Sequence, residues 1–269
     1  IEFVVDDQGQ IKDPLNMQGL RLEVKILALC AFSPFLKNLT EAVLEAGFQV
    51  SDIVPSIIAA SRAVLTPQQK ELGVCLLDIG AGTTDMAVYE EGDLIHLTVF
   101  PVGSGLITND IAIGLKTDVE IAEQVKKEFG SCVTKGGNKK EEIPQTEHQG
   151  NGEPLIFTHK VLTKIIEARV SEIFGLALQE LKKISLKGTL AGGVVLTGGG
   201  VMLPKIVELA KKEMKLPVRI GLPRGVEGLN GDSAFSTAVG LILEGMDLEK
   251  DEGRIMPVFS NGFGGKIKK

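Results

Sequence analysis

The stretch Asp78-Ile79-Gly80-Ala81-Gly82-Thr83-Thr84-Asp85 follows an apolar run and precedes another. Glycines let a backbone turn tightly and aim its N–H groups at an anion, with no Cβ to block a phosphate. Thr83 and Thr84 add hydroxyl donors at the same place. An aspartate at the strand end, Asp78, is placed to hold Mg²⁺ through water, because Mg²⁺ keeps much of its hydration shell. The same letters also fit a plain β-hairpin capped by its aspartate. A second cluster, Gly198-Gly199-Gly200, lies after the apolar Val194-Val195-Leu196. Three glycines between a strand and a helix let a flat group such as a nucleoside lie against the backbone, or simply make a tight connection. Glu123 and Lys126 stand one helical turn apart and can reach the same ligand, or form an ordinary surface pair.

The elements that must position these groups read as alternating strands and helices, an α/β pattern. Strands are expected at Ile1 to Val5, Leu20 to Ala28, Val74 to Asp78, Met86 to Tyr89, Leu94 to Phe100, Val194 to Leu196 and Val218 to Ile220. Between the first two, Asp6 to Gln10 reads as a turn. Ser33-Pro34 opens a helix that Gly47 can close, and a second helix from Ser56 to Leu65 is stopped by Pro67. Helical patterns follow over Leu106 to Phe129, Lys160 to Lys183, Leu203 to Lys212 and Ser233 to Leu243. Thr134 to Pro154, nearly free of apolar residues, is expected to be a mobile solvent loop. Beyond Glu244 the chain turns polar and glycine-rich. The opening Ile1-Glu2-Phe3-Val4-Val5 lacks Met and reads like mid-strand, so a fragment is expected.

Across 269 residues, 29 Lys and Arg against 35 Asp and Glu leave a net charge of -6, which argues against coating nucleic acid. With a single tyrosine and no tryptophan, stacking platforms for single strands are not supported either. Three cysteines without C-x-x-C spacing give neither a disulfide framework nor a zinc site. His96, His148 and His159 are scattered and read as structural. No apolar run reaches the ~18 residues of a membrane span, and no G-x-G-x-x-G follows a first strand.

Together the two glycine motifs resemble the phosphate-2 and adenosine motifs of the actin, Hsp70 and sugar-kinase superfamily. Within it the chain is most similar to the FtsA family of bacterial cell-division proteins. The likeness runs in order through Asp13 to Val24, Ala63-Val64-Leu65-Thr66 with Glu71-Leu72-Gly73-Val74, and Asp78 to Asp85. It continues with Thr108-Asn109-Asp110-Ile111-Ala112, Ala122-Glu123-Gln124-Val125-Lys126, Leu196 to Gly200 and Ser236 to Leu241.

The resemblance implies an incomplete actin-like (ribonuclease H-like) ATPase fold. Residues 1-50 would be part of the 1C subdomain, 51-73 part of 1A, 74-105 and 185-245 subdomain 2A, and 106-184 subdomain 2B with the loop 134-154. Residues 246-269 would be a flexible linker and the start of a membrane-targeting tail, with Lys266-Ile267-Lys268-Lys269 opening a basic amphipathic helix. It also implies ATP and Mg²⁺ as ligands. Asp78, Gly80, Ala81, Gly82, Thr83 and Thr84 would face the phosphates, Glu123 and Lys126 the adenosine, and Gly198, Gly199 and Gly200 the base and ribose. Implied partners are the FtsZ C-terminal peptide on 2B, further copies in a filament, other divisome proteins and the inner-membrane surface. The implied location is the cytoplasmic face at the division site. A relative of the pilus-assembly protein PilM, a sugar kinase and an Hsp70-type chaperone are the competing readings. Actin-like ATPases carry a Gln or Glu near the start of the helix Ser56 to Leu65. Here that position is about Ser56, beside Pro55 and Ile57, so weak or absent hydrolysis is expected.

Overall fold

The computed structural model describes residues 2–134, 140–143, 154–184, 188, 190–226 and 231–251. Strands β1 (Glu2–Val5), β2 (Gln8–Ile11) and β3 (Leu22–Lys25) form a small antiparallel sheet in the order β2-β1-β3. Asp6 and Asp7 both have positive φ and make a two-residue hairpin turn between Val5 and Gln8, the turn type whose twist suits paired strands. The Asp6 carboxylate accepts from the Leu20 and Arg21 amides, fixing the return of the chain. The expected turn over Asp6 to Gln10 therefore shrinks to two residues. Gln8-Gly9-Gln10 carries no apolar alternation that would mark it as a strand.

Helix α1 (Ser33–Glu45) begins one residue earlier than its Ser33 cap signal suggested and closes at Gly47, with φ of +84°. None of its residues is buried. Helix α2 (Ser56–Val64) buries Ile57, Ala59, Ala60, Ala63 and Val64. Pro67 does not merely end it. Thr66 and Gln69 make reciprocal capping bonds and start a short helix, α3 (Pro67–Glu71), because proline suits a first helical turn as well as it breaks an interior.

The meander β4 (Val74–Ile79), β5 (Thr84–Glu90) and β6 (Asp93–Phe100) follows, then α4 (Ser104–Leu115) and α5 (Val119–Phe129). The single helical stretch expected there is broken at Lys116, which takes a left-handed φ of +54°. Strands β7 (Lys140–Ile143) and β8 (Leu155–Thr158) pair as antiparallel neighbours. A strand thus stands inside the segment expected to be loop. Ile143 pairs with Leu155 and packs partly against the core, a signal too short to rise above the surrounding Lys and Glu. Residues 135–139 and 144–153 of that segment lie outside the described residues.

The long α6 (His159–Leu181) opens with the Thr158 hydroxyl accepting from the Val161 amide. Strand β9 (Val194–Thr197) leads through a 3₁₀ turn, Gly199–Met202, to α7 (Ile206–Met214) and the edge strand β10 (Val218–Ile220). Helix α8 (Ser236–Asp251) runs past Glu244, where a polar linker was expected to begin. Leu243, Glu244, Met246 and Leu248 are good helix formers, and polarity alone does not stop a helix. Residues 252–269, including the expected basic tail, lie outside the described residues.

The central sheet has the order β10-β9-β4-β5-β6, with β10, β9 and β4 parallel and β4-β5-β6 antiparallel. Alternation sends Cys75, Leu77, Ile79, Met86 and Val88 to one face, where they pack with Ile107, Ile111, Ile166 and Phe174. Val74, Leu76, Ala87 and Tyr89 face the other way, toward α2 and α8. Full burial of each such side chain contributes about 1.5–3 kcal/mol. Both faces are covered, so the strand ends of β4, β5 and β9 are held rigidly where the glycine motifs begin.

Candidate functional site

Asp78 and Asp85 are register partners across β4 and β5, so their side chains share the face that packs α2 and α8. Each is held by a hydroxyl from the first turn of one of these helices. Thr237 Oγ1 donates to Asp78 Oδ2 at 3.1 Å, and Ser56 Oγ donates to Asp85 Oδ2 at 2.6 Å. Helix N-termini favour negative charge. Burial nevertheless pushes the Asp78 carboxyl above its ordinary range; the Thr237 hydrogen bond opposes this and the charge of Asp85 adds to it.

The loop between the strands is braced by its carbonyls. Ser104 N donates to Gly80 O and Gly105 N to Ala81 O, each at 2.8 Å, while Gly80 N donates to Thr83 O at 2.9 Å. A Cβ on Gly103 would sit 2.4 Å from Ala81 O, so α4 can approach only with glycine there. Among the described residues no protein acceptor meets the amides of Ala81, Gly82 and Thr83, and these residues are exposed. Such a run of N–H groups is an anion cradle. Thr84 departs from the expectation. It is fully buried and its hydroxyl donates to Val102 O at 2.7 Å, because strand alternation turns it inward.

A cavity of 760 Å³ opens beside the loop, lined by Ala81, Gly82, Gly105, Thr108, Asn109 and Glu123 among others. Glu123 Oε2 accepts from Thr108 Oγ1 and lies against Lys126 Nζ, both at 2.5 Å. Burial opposes ionisation of Glu123, but hydrogen bonds from Lys126 and Thr108 outweigh it and hold the carboxyl below its usual range. Lys126 does not line the cavity. It is buried and also donates to Thr108 Oγ1 and Ser104 O, which uses all three of its N–H groups. One turn of helix therefore puts Glu123 on the wall and Lys126 behind it, instead of both toward a ligand.

The second glycine cluster meets the first directly. Gly198 has φ of +90°, and a Cβ there would lie 2.2 Å from Asp78 Oδ1 and 2.6 Å from Ile79 O. A Cβ on Gly200 would lie 2.6 Å from Ile79 Cγ2, whereas one on Gly199 would meet nothing closer than 3.9 Å. Gly198 and Gly200 thus back the end of β4, and Gly199 is the open member. The partners Thr237, Gly103 and Thr108 were not singled out from the sequence as site residues, and Ser56 was noted only as standing where a Gln or Glu was expected. Thr108 and Thr237 fall inside the quoted motifs, but their donor roles emerge only from the packing. Ser56 stands between Pro55 and Ile57, and its hydroxyl meets a carboxylate only through the fold, in Asp85 of β5, 29 residues away.

His96 Nε2 lies 3.1 Å from Glu180 and His159 Nε2 2.9 Å from Glu141, while His148 is outside the described residues. Among the described residues no cluster of three or more His, Cys, Asp or Glu side chains is disposed to hold a metal ion. No described helix is long and apolar enough to cross a membrane.

Residues 75–240 match the family model of cell division protein FtsA, and residues 1–30 match that of the SHS2 domain inserted in FtsA. The chain belongs to the FtsA family. It is 39% identical over 254 residues to the cell division protein FtsA of Neisseria meningitidis, covering 92% of this chain and 61% of that protein. Identity to the FtsA of Pseudomonas aeruginosa is 35% over 255 residues, covering 93% and 60%, and to that of Bacillus subtilis 38% over 241 residues, covering 90% and 54%. The chain therefore spans less than two thirds of the length of these FtsA relatives.

Among solved structures, MreB5 of Spiroplasma citri bound to ADP superposes with a TM-score of 0.67 at 20% identity, covering 83% of this chain and 68% of that one. A PilM–PilN type IV pilus biogenesis complex gives 0.57 at 18%, covering 78% and 57%. At such identities these likenesses show the actin-like fold alone. The PilM reading rests on nothing closer, and the FtsA family holds against it.

Proposed function

We propose that this chain forms the ATP-binding half of an actin-like cell-division scaffold that ties the FtsZ ring to the inner membrane and recruits other divisome proteins. The observation that carries the reading is the unspent amide run of Ala81, Gly82 and Thr83, of which Ala81 and Gly82 line the same 760 Å³ cavity as Glu123. The phosphates would rest on those amides and the Thr83 hydroxyl, Glu123 would meet the ribose, and Gly199 would lie against the base. Lys126 and Thr84 support the site from behind. Asp78 would hold Mg²⁺ through Oδ1, which packs against the bare Cα of Gly198 while Oδ2 takes the Thr237 hydroxyl. The ion would be held there through water and would neutralise phosphate charge. Nucleotide-bound MreB5, with ADP or AMPPNP, supports the choice of ligand.

The parts keep the assignments made above: a partial 1C at residues 1–50, 1A at 51–73, 2A at 74–105 and 185–245, and 2B at 106–184. The FtsZ C-terminal peptide would dock on 2B, copies would associate into filaments, and the basic tail that opens at Lys266 would bring the protein to the cytoplasmic face of the membrane. Calorimetry on the full-length protein tests the site. Asp78→Ala weakens Mg-ATP binding by tenfold or more, about 1.4 kcal/mol; unchanged affinity counts against the assignment.

A further inference from the structure

We propose that the groove beside the edge strand β10 is a docking site for an extended acidic segment of a partner protein, with Arg219 and Arg224 as the groups that receive its carboxylates. The groove encloses 620 Å³ and is lined by these two arginines with Val64, Thr66, Gln69 and Leu222 among others. It lies at the C-terminal end of α2, the end away from Ser56 and the phosphate loop. Thr66 and Gln69 are already spent on each other in the cap of α3, so the arginines supply the side-chain donors left to meet a ligand.

Charge identifies the occupant. Of the five N–H donors on a guanidinium, Arg219 spends one on Ile220 O, at the long distance of 3.5 Å, and Arg224 one on Val64 O at 2.9 Å. Neither meets a carboxylate among the described residues, whereas Arg21, Arg62 and Arg169 each pair with one. In a chain with 35 acidic against 29 basic residues, two exposed arginines left facing one groove are not a product of composition. Burial and the charge of Arg224 both push the Arg219 guanidinium below its ordinary value, so an incoming carboxylate would relieve a repulsion already present. Guanidinium forks also take carboxylates two N–H groups at a time.

The edge of the sheet sets the shape of that segment. Val194 N donates to Pro217 O and Gly221 N to Leu196 O, each at 2.8 Å. Residues 217, 219 and 221 therefore turn their backbone groups toward β9, and Ile220 between them turns its N–H and C=O away from the sheet. An extended chain laid along β10 finds those groups to pair with, and its side chains then give specificity. Val64, Leu222 and Pro223 offer apolar wall for a residue between the carboxylates. Two arginines are too few for a nucleic-acid track, which needs many phosphate contacts.

The test uses the full-length protein and a display library of random eight-residue peptides, selected on the unmodified protein and counter-selected on Arg219→Glu. Peptides that depend on Arg219 should be rich in Asp and Glu. By fluorescence anisotropy, a selected peptide should bind Arg219→Glu about tenfold more weakly, and salt should weaken its binding to the unmodified protein. Its counterpart with lysine in place of each acidic residue should prefer Arg219→Glu. Arg224 also holds the end of α2, so Arg219 carries the test, and the unfolding midpoint and Mg-ATP affinity of Arg219→Glu should match those of the unmodified protein. Arg219→Gln takes its place should the glutamate variant fail to fold. Absence of Arg219-dependent peptides, or dependent peptides without acidic enrichment, overturns the proposal. So does Arg219-dependent binding to phosphatidylglycerol vesicles in place of peptides, which would make the groove a lipid-headgroup site.

Discussion

A Cβ on Gly240 of α8 would lie 1.8 Å from the carbonyl oxygen of Ala59 in α2, so the two helices cross in backbone contact. Their first turns carry Thr237 and Ser56, the hydroxyls that hold the paired carboxylates. Near their other ends Arg62 pairs with Asp247 at 2.5 Å. The spacing of the two helices and the geometry of the site are set by the same contact.

Glycine to alanine inside a helix ordinarily stabilises by about 1 kcal/mol. At Gly240 the sign reverses, because the methyl must push two backbones apart at a cost of about 1–3 kcal/mol. Gly175 in α6 and Gly245 in α8 have nothing within 4 Å of a built Cβ and keep the ordinary sign. Thermal unfolding of the three alanine variants should show Gly240→Ala below the unmodified protein and the other two above it. A stabilised Gly240→Ala would refute the close crossing.

The two neighbouring glycines 198 and 199 should behave oppositely. Gly198→Ala places a methyl into Asp78 and Ile79 at a left-handed φ, which by itself strains an L-residue by about 1–2 kcal/mol. ATP binding measured by calorimetry should be lost in Gly198→Ala. Gly199→Ala has space for its methyl and should fold normally, so a loss of folding there would contradict the open face.

Acid titration should reveal Glu123. Its carboxyl is held below the ordinary value of 4.5, so the folded state binds that proton less readily than the unfolded chain. Its contribution to stability is present above pH 4.5 and fades as pH falls through the lower folded value. Glu123→Gln should therefore lower the denaturation midpoint at pH 7 and approach the unmodified protein at the acid end. Parallel curves at every pH would show that Glu123 is not linked to folding.

Thiol labelling separates the three cysteines. Burial pushes Cys75 and Cys132 up to about 12, with the charge of Glu167 adding at Cys132. At pH 8 about one part in ten thousand of each is thiolate. Cys30 is exposed and should label in the native protein, while the other two react only on unfolding. Native labelling of Cys75 would contradict its place in the sheet.

The strand-turn-strand of the phosphate loop was legible because apolar alternation, two glycines and an aspartate at each end all point the same way. What alternation also says, that Thr84 turns inward while Asp85 shares a face with Asp78, follows only once the strand start is known. Lys126 illustrates the limit of spacing arguments: i, i+3 places two residues on one side of a helix but not at one depth. β7 was hidden because Lys140, Glu141 and Glu142 are loop-like in composition, and its only marker is Ile143 opposite Leu155. The pairing of Ser56 with Asp85 is tertiary and has no local signature at all.

Helix α1 buries none of its 13 residues, and the exposed rings of Phe32, at its N-cap, and Phe35, in its first turn, stack edge-on at 5.2 Å. A helix of that length is marginal in water without packing. In this chain its backbone bonds should open on a timescale of their own. Its amides would exchange with deuterium within seconds to minutes, while those of β4 and β5, sealed on both faces, would wait for unfolding of the whole sheet. The chain thus has two clocks, a fast one at its amino-terminal module and a slow one at the strands that carry Asp78 and Asp85.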